Sequence, residues 1–153
     1  MPQRDPQQQF DAVEDLLTRW LKERRQVLGK YTEIVVGIDG LLDPKALEER
    51  QKLLCQLLVD YVSAGHFEVY HELLQEAEIF ADGSSSLAEK LMPAIGDTTE
   101  VILAYEEKYT SAGCDSGKVK RDLSALGEVL ESRFLLEDKL IAGLHNSHRR
   151  QQG

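Results

Sequence analysis

The chain has little cysteine and no long hydrophobic run, and each of these shortages excludes a class of protein. Its 153 residues include two cysteines and one tryptophan. Cys55 has apolar neighbours and Cys114 lies in a Gly-rich segment, so neither shows metal-ligand spacing or a disulfide framework. No apolar stretch approaches the roughly 20 residues that cross a bilayer, and the polar start MPQRDPQQQ lacks the apolar segment of a secretory signal. We therefore expect a cytoplasmic protein that does not enter membranes.

Positive charge is also scarce, and one long segment has none. The formal net charge is −9, and neither Lys nor Arg occurs between Leu53 and Glu89. The seven acids of this segment are Asp60, Glu68, Glu72, Glu76, Glu78, Asp82 and Glu89. Because binding to nucleic acid or to an anionic membrane needs clustered Lys and Arg, we expect no direct contact with either. A basic protein partner is the more natural match for this segment.

The size and composition predict a single folded domain. Hydrophobic residues make up 42% of the chain and charged residues 29%, which is typical of a globular protein. A chain of this length can bury a self-sufficient core. We expect one helical domain over residues 1–153, with frayed ends at 1–8 and 149–153.

Apolar residues recur with the 3–4 spacing of helices along most of the chain. The first helix is predicted from Gln7 to Val36, and its apolar face includes Leu28 and Val35. The second begins at Asp43-Pro44, where Asp is a favoured N-cap and Pro a favoured first residue. Its pattern weakens at Ser63-Ala64-Gly65, where glycine costs about 1 kcal/mol relative to alanine. We expect a kink, a break or a close helix contact there.

A further helix follows the loop at residues 82–86. Ser86 is predicted as its N-cap, with Glu89 three residues later completing a capping box. Pro93 and Gly96 predict that the early part of this helix bends or is split.

The last helix is predicted from about Asp115 or Ser116 to about His148. No segment of useful length alternates with the period of a strand, and no internal repeat is present. Long amphipathic helices joined by short polar loops predict an all-α fold. Its architecture should be an antiparallel up-and-down helical bundle with a four-helix core and helix extensions.

Two charged residues of the last helix fall on core positions. Arg133 and Glu137 continue its apolar seam and can pair at i,i+4, which a buried carboxylate requires. His66 and Tyr70 lie on the inner face of their own helix. We predict a buried polar cluster of His66, Tyr70, Arg133, Glu137 and Asp138. The alternative is that Arg133 and Glu137 are solvated at the edge of the seam and that His66 is an ordinary core histidine.

Metal-binding patterns are weak. Glu68 and His71 form a Glu-x-x-His, the spacing of di-iron bundles, but such sites need it twice. His145 and His148 could chelate a metal at i,i+3, but they lie in a tail without a nearby acid. We predict no cofactor and no catalytic centre. A ligand- or metal-binding bundle built on the His/Tyr/Arg/Glu cluster is the alternative function.

Glu68, Glu72 and Glu76 form an i,i+4 ladder of like charge, which costs a few tenths of a kcal/mol per pair. Asp60, two turns earlier, extends the same side. Two interpretations are open: a solvated outer face, and an interaction surface that the absence of Lys and Arg favours.

Two stretches resemble the Rsd/AlgQ family of bacterial anti-sigma regulators. Residues 58–67 read LVDYVSAGHF, and residues 130–141 read LESRFLLEDKLI. The pattern Trp20-Leu21-x-x-Arg24 supports the resemblance. The ending Leu144-His145-Asn146-x-His148 is similar to the AlgQ branch of pseudomonads.

The resemblance implies a transcription regulator that is not an enzyme and that contains a central four-helix bundle. It implies binding to the C-terminal, promoter-recognising region of the primary sigma-70 factor, which hinders sigma from joining core RNA polymerase or the −35 element. Asp60 matches the family position that is associated with this contact. The predicted partner-binding residues are Asp60, Ala64, Phe67, Glu68 and Glu72. The AlgQ branch further implies regulation of alginate production, and other cytoplasmic regulatory proteins are possible additional partners.

Overall fold

The structure, a computed structural model, describes residues 4–40, 43–111 and 116–151, and within these ranges it contains helices and no strand. The elements in chain order are α1 (Pro6–Gly37), α2 (Pro44–Ala64), a π-turn (Gly65–Val69), α3 (Tyr70–Phe80), α4 (Ser85–Ser111), α5 (Ser116–Leu144) and a 3-10 turn (Asn146–Gln151). Because α2, the π-turn and α3 join without interruption, they form one rod. The described residues therefore form four long rods, which confirms the predicted all-α bundle with a four-helix core.

Salt bridges near the helix ends show the relative directions of the rods. Glu33, near the end of α1, pairs with Arg50, near the start of α2, at 2.9 Å. Arg4, just before α1, pairs with Glu72 of α3, also at 2.9 Å. A similar bridge links the end of α4 to the start of α5. Sequential rods are therefore antiparallel, as short connections between long helices require.

The core is one apolar cluster to which all four rods contribute. Trp20 of α1 is buried, and its indole N–H donates to the carbonyl oxygen of Tyr61 at 3.1 Å, which ties α1 to α2. Leu28 and Val35, predicted to face inward, are 47% and 41% exposed. That prediction was wrong because the apolar face of α1 is wider than the strip that its neighbours cover.

The first two helices start as their capping residues predict. The carboxylate of Asp5 accepts the N–H of Gln8, and the Gln8 side chain accepts the N–H of Asp5, which closes a capping box. Asp43 accepts the N–H of Ala46 at 2.8 Å, with Pro44 as the first helical residue. The N-terminal fraying predicted up to residue 8 is therefore replaced by helix from Pro6 onward.

Helix α4 differs from its prediction. It begins at Ser85, so Ser86 lies inside its first turn and donates its hydroxyl to the carbonyl oxygen of Gly83 instead of capping. The helix is continuous through Pro93 and Gly96, and both residues are on its exposed side. A proline ring directed at solvent removes one backbone hydrogen bond without disturbing the core, so no split follows.

The C-terminal segment is folded back against the bundle as the 3-10 turn, where fraying from residue 149 was predicted. Cys114 and the other residues of 112–115 lie outside the described residues. None of the helices in the described ranges has the length and apolarity needed to cross a bilayer.

Candidate functional site

The predicted partner-binding residues surround the π-turn. Asp60 and Glu68 are exposed, and Phe67 is 75% exposed. Ala64 is half-buried and packs against the core. A phenylalanine ring left in water contributes almost nothing to folding, so its position beside two carboxylates is a feature that a partner could use. We call Asp60, Ala64, Phe67 and Glu68, together with Glu23 described below, the acidic face.

The predicted ladder of acids does not continue along α3. Glu72 is half-buried, and its carboxylate accepts hydrogen bonds from Arg4 and Gln9 at 2.9 Å each. Glu76 has no exposed surface. The interpretation of Glu68, Glu72 and Glu76 as one solvated or interacting row was therefore wrong. The π-turn shifts the helical register between Glu68 and the two later acids. Of the three, therefore, only Glu68 has a carboxylate that is exposed to solvent.

A third carboxylate, that of Glu23 on α1, lies within electrostatic range of Asp60 and Glu68. Burial raises the pKa of Glu23, and the charges of Asp60 and Glu68 raise it further, against the lowering effect of Arg19. The Oε2 atom of Glu23 is buried without a hydrogen-bond partner among the described residues. Sequence reasoning missed Glu23, because its spacing on α1 gives no signal of what lies across the helix interface.

The π-turn exists because two aromatic rings pack against the backbone of Gly65. A Cβ at this position would lie 3.1 Å from Cζ2 of Trp20 and 3.2 Å from the hydroxyl of Tyr70. The N–H of Tyr70 bonds to the carbonyl oxygen of Gly65, five residues back, which is the signature of a π-turn. Tyr70 is thereby buried while Phe67 stays exposed. The close contact predicted at Ser63-Ala64-Gly65 is confirmed.

Directly inside the acidic face lies a buried polar network. Arg133 and Glu137 have no exposed surface, and Nε of Arg133 donates to Oε2 of Glu137 at 3.0 Å. The hydroxyl of Tyr70 donates to the same oxygen at 2.8 Å, and the hydroxyl of Tyr61 donates to Oε1. The structure thus brings together Tyr70, Arg133 and Glu137 of the predicted cluster and adds Tyr61.

The terminal nitrogens of Arg133 reach α4 and α3. Nη1 donates to the hydroxyls of Thr98 at 3.0 Å and Thr99 at 2.7 Å, and Nη2 donates to the hydroxyl of Tyr70 at 2.8 Å. A guanidinium buried this completely needs all of its donors used. Sequence reasoning missed the threonines because helix phase does not show which rod faces which.

At its outer edge the network meets α1. Nη1 of Arg24 lies 3.4 Å from Glu137, and its Nη2 lies 2.9 Å from Asp138. The side chain of Asp138 is 55% exposed, so Asp138 touches the network only through Arg24 and is not one of its buried members.

His66 was predicted to join the cluster, and that prediction was wrong. Its side chain is exposed and packs edge-on against the ring of Phe67, with 4.7 Å between ring centroids. The π-turn rotates His66 outward, which a regular helical phase does not anticipate.

The electrostatics of the network keep the tyrosine hydroxyls protonated, so that they act as hydrogen-bond donors. Burial, followed by the charge of Glu137, raises the pKa of both Tyr61 and Tyr70. Burial also raises the pKa of Glu137, while Arg133 and the two hydroxyls oppose that effect. Every partner is a protein group, so the arrangement has the form of a structural network that joins four rods.

A groove of about 750 Å³ runs between α1 and α2 and ends at Asp60. Leu53, which is 48% exposed, and Leu57 form its apolar floor, with Lys30 and Glu33 at its rim. A groove of this kind can receive one side of a partner helix.

The tail histidines were expected to lack a nearby acid, and that expectation was wrong. His145 and His148 are buried, and both contact Glu76 of α3. The described residues contain no group of three or more His, Cys, Asp or Glu side chains arranged to hold a metal ion.

Comparisons with known proteins bear on the identity of the chain. The model of one protein family matches residues 3–145, and its description is the regulator of the RNA polymerase sigma(70) subunit, Rsd/AlgQ. No solved structure matches the chain significantly.

Curated relatives agree with this match. A regulator of sigma D from Yersinia enterocolitica is 32% identical over 88% of this chain and 83% of its own length. Regulators of sigma D from Yersinia pseudotuberculosis and Pectobacterium atrosepticum are each 34% identical. The former match covers 88% of this chain and 82% of the relative, and the latter covers 86% and 89%.

Proposed function

The chain belongs to the Rsd/AlgQ family of regulators of the RNA polymerase sigma-70 subunit, and on that premise we propose that it is an anti-sigma factor whose acidic face binds the C-terminal, promoter-recognising region of sigma-70. The family is regulatory and non-enzymatic. The binding site and the mode of binding are what we propose beyond membership of this family.

The observation that carries the proposal is the meeting of Glu23, Asp60 and Glu68 without a neutralising salt bridge. Among the described residues, none of the three forms a salt bridge, whereas Glu72 is paired with Arg4. Burial is the larger cause of the raised pKa of Glu23, and repulsion by the carboxylates of Asp60 and Glu68 adds to it. A cation from a partner would relieve that repulsion and satisfy the buried oxygen of Glu23.

The sigma region in question suits this arrangement. A helix-turn-helix that recognises promoter DNA presents a basic surface to phosphates and bases. The acidic face can occupy that surface in place of DNA. Charge complementarity of this type sets orientation, association rate and salt sensitivity.

Durable affinity needs apolar contact as well. Phe67 is exposed beside Glu68, and the groove floored by Leu53 and Leu57 ends at Asp60. Aromatic anchors at the centre of an interface contribute a large share of binding energy. We assign Phe67 the role of anchor and the α1–α2 groove the role of a seat for one partner helix.

The test is a calorimetric titration of this chain against the isolated C-terminal region of sigma-70 at two ionic strengths. We expect a 1:1 complex that weakens with salt, and Asp60→Ala should lower affinity at least about fivefold, or roughly 1 kcal/mol. Glu89→Ala is the matched control, because Glu89 is an exposed acid from the same segment but lies on α4. Equal affinities for the two variants would reject Asp60 as a contact.

A competition experiment tests the regulatory step. The chain should displace core RNA polymerase, or a −35 promoter duplex, from sigma-70 in proportion to the fraction of sigma bound. If a saturated complex still binds both competitors with unchanged affinity, the chain contacts sigma-70 without hindering it.

We also propose membership of the AlgQ-like pseudomonad branch, with alginate production as the regulated output. The support is the Leu144-His145-Asn146-x-His148 ending. Deletion of the gene should change the transcription of alginate genes, and unchanged transcript levels would contradict this assignment.

A further inference from the structure

The C-terminal segment is fixed to α3 by one buried carboxylate that bridges two buried imidazoles. Oε1 of Glu76 lies 2.6 Å from Nδ1 of His145, and Oε2 contacts Nδ1 of His148. None of the three side chains has exposed surface. The two histidines lie three residues apart, one just after α5 and one in the 3-10 turn, so a single acid holds both.

The outer nitrogens of the two rings also face carboxylates. Nε2 of His145 lies 3.1 Å from Oε1 of Glu14, on α1, and Nε2 of His148 lies 2.9 Å from Oδ2 of Asp82, just after α3. An ionised carboxylate accepts hydrogen bonds and cannot donate them, whereas an imidazole donates from both nitrogens only as the cation. All four contacts are therefore satisfied together when both rings are doubly protonated.

The charges around the rings agree with that protonation state. Arg149 of the 3-10 turn forms two hydrogen bonds to Glu14, at 2.6 and 2.8 Å. Among the described residues, the carboxylates of Glu14, Glu76 and Asp82 thus face the guanidinium of Arg149 and the two imidazoles, so a cationic imidazole adds attraction at each of its contacts. Buried charges are tolerated when they are paired in this way.

Aromatic stacking holds each ring in place. His145 stacks on Phe10 with 4.1 Å between centroids, and His148 stacks on Phe80 with 4.0 Å. The interplanar angles are 14° and 7°. A ring clamped against a flat neighbour cannot turn its deprotonated nitrogen toward a donor, so the loss of a proton also removes the hydrogen bond.

We propose that residues 145–151 form a proton-held clasp, which stays docked on α3 while both imidazoles are cationic and opens when either ring loses a proton. Deprotonation would leave a carboxylate oxygen buried opposite a bare ring nitrogen, which costs the contact and adds repulsion. The clasp joins α1, α3 and the end of α5, so its opening loosens α3.

The position of α3 gives the clasp a wider effect. α3 follows the π-turn directly, and the π-turn carries Phe67 and Glu68. A local opening equilibrium at α3 would therefore reach the acidic face through continuous helix. The clasp itself does not rest on the sigma-70 proposal, since its contacts involve only this chain.

The test uses the intact chain and two measurements. Nitrogen-15 spectra of the imidazoles should show protons on both nitrogens of His145 and His148 while the segment is docked. Amide hydrogen exchange, expressed as protection relative to an unstructured chain, should fall at least about tenfold in α3 and the 3-10 turn as those two rings deprotonate. Doubly protonated spectra together with this loss of protection support the clasp.

A pair of variants separates the clasp from general charge effects. His148→Gln should reduce the hydrogen-exchange protection of the α3 amides at least about tenfold. His71→Gln is the control, because His71 is an exposed histidine of α3 itself, and this variant should leave that protection within about twofold. If His148→Gln does not fold, the exchange of the wild-type chain across its imidazole titration decides the question. Neutral rings in a docked segment, or unchanged protection after deprotonation, would overturn the proposal.

Discussion

Nε of Arg133 lies 3.0 Å from Oε2 of Glu137, one helical turn further along α5, and neither side chain reaches solvent. Ion pairs this deep usually stabilise a fold less than well-packed apolar groups of the same size would. This pair contacts tyrosines of the α2–α3 rod, threonines of α4 and, at its edge, Arg24 of α1. We infer that its main effect is to set the register of four rods against one another.

The first prediction concerns that pair. Glu137→Leu leaves Arg133 buried and unpaired and should lower the free energy of unfolding by about 3–5 kcal/mol. Adding Arg133→Met should recover most of that loss, because the second change removes the stranded charge. Urea unfolding followed by circular dichroism measures both. A double variant that is less stable than Glu137→Leu alone would show that the guanidinium stabilises the core by itself.

The second prediction concerns Glu23. Glu23→Gln removes a carboxylate that is repelled by Asp60 and Glu68, so the free energy of unfolding at pH 7 should rise by about 0.5 kcal/mol. The same change should weaken binding to the sigma-70 C-terminal region at least about threefold, because the partner loses a charge to pair with. Unfolding and titration experiments on one preparation test both the gain in stability and the loss of affinity. A variant that is stabilised yet binds normally would place Glu23 outside the contact.

The pH dependence of this stabilisation has a definite sign. The folded pKa of Glu23 is raised by burial and by its acidic neighbours. The folded state therefore binds this proton more tightly than the unfolded chain, and the stability that results is lost as pH rises through the folded pKa. The advantage of Glu23→Gln should accordingly be small near pH 4 and larger at pH 7. Equal advantages at the two values would contradict the shift.

The third prediction separates binding from folding at Phe67. Because this ring is 75% exposed, Phe67→Ala should change the free energy of unfolding by no more than about 0.5 kcal/mol. Affinity for the sigma-70 region should fall at least about tenfold, or 1.4 kcal/mol, if the ring is the anchor.

Leu103→Ala is the control for Phe67. Leu103 is 41% exposed and lies on α4, whereas the acidic face and the α1–α2 groove are formed by α1, α2 and the π-turn. This variant should bind normally, and equal losses for the two would indicate a nonspecific apolar effect.

The fourth prediction uses two glycines in helices. Gly65→Ala introduces a methyl group 3.1 Å from the Trp20 ring and should destabilise the fold by about 1–3 kcal/mol. Gly29→Ala meets nothing within 4 Å and should stabilise it by about 0.5–1 kcal/mol. Thermal unfolding of both variants gives the comparison. Stabilisation by both would mean that the π-turn relaxes without cost.

The rods of the bundle could be predicted from sequence because their apolar spacing and N-caps are local signals. Asp43-Pro44 marks a helix start, and the irregularity at Gly65 appears as a break in the periodicity. The pairing of Arg133 with Glu137 was also visible, since both residues lie on one helix at i,i+4.

Contacts between rods could not be read in the same way. The approach of Glu23 to Asp60, the donors supplied by Thr98 and Thr99, and the burial of His148 against Glu76 all depend on how one helix is rotated against the next. His66 shows the size of this effect, because a single extra residue in the turn moved it from the expected core to solvent.

The π-turn also shows how this helix can change length over evolutionary time. A residue inserted into a regular helix rotates everything after it by about 100° about the helix axis, unless a wider turn takes up that rotation. The π-turn takes up the rotation between Gly65 and Val69, so Leu73 and Ala77 face the interior. Deleting one residue of this turn would restore the regular winding and leave the helix after it in place, while the directions of Phe67 and Glu68 would change. The outward side chains of this segment can therefore be gained or lost without disturbing the core.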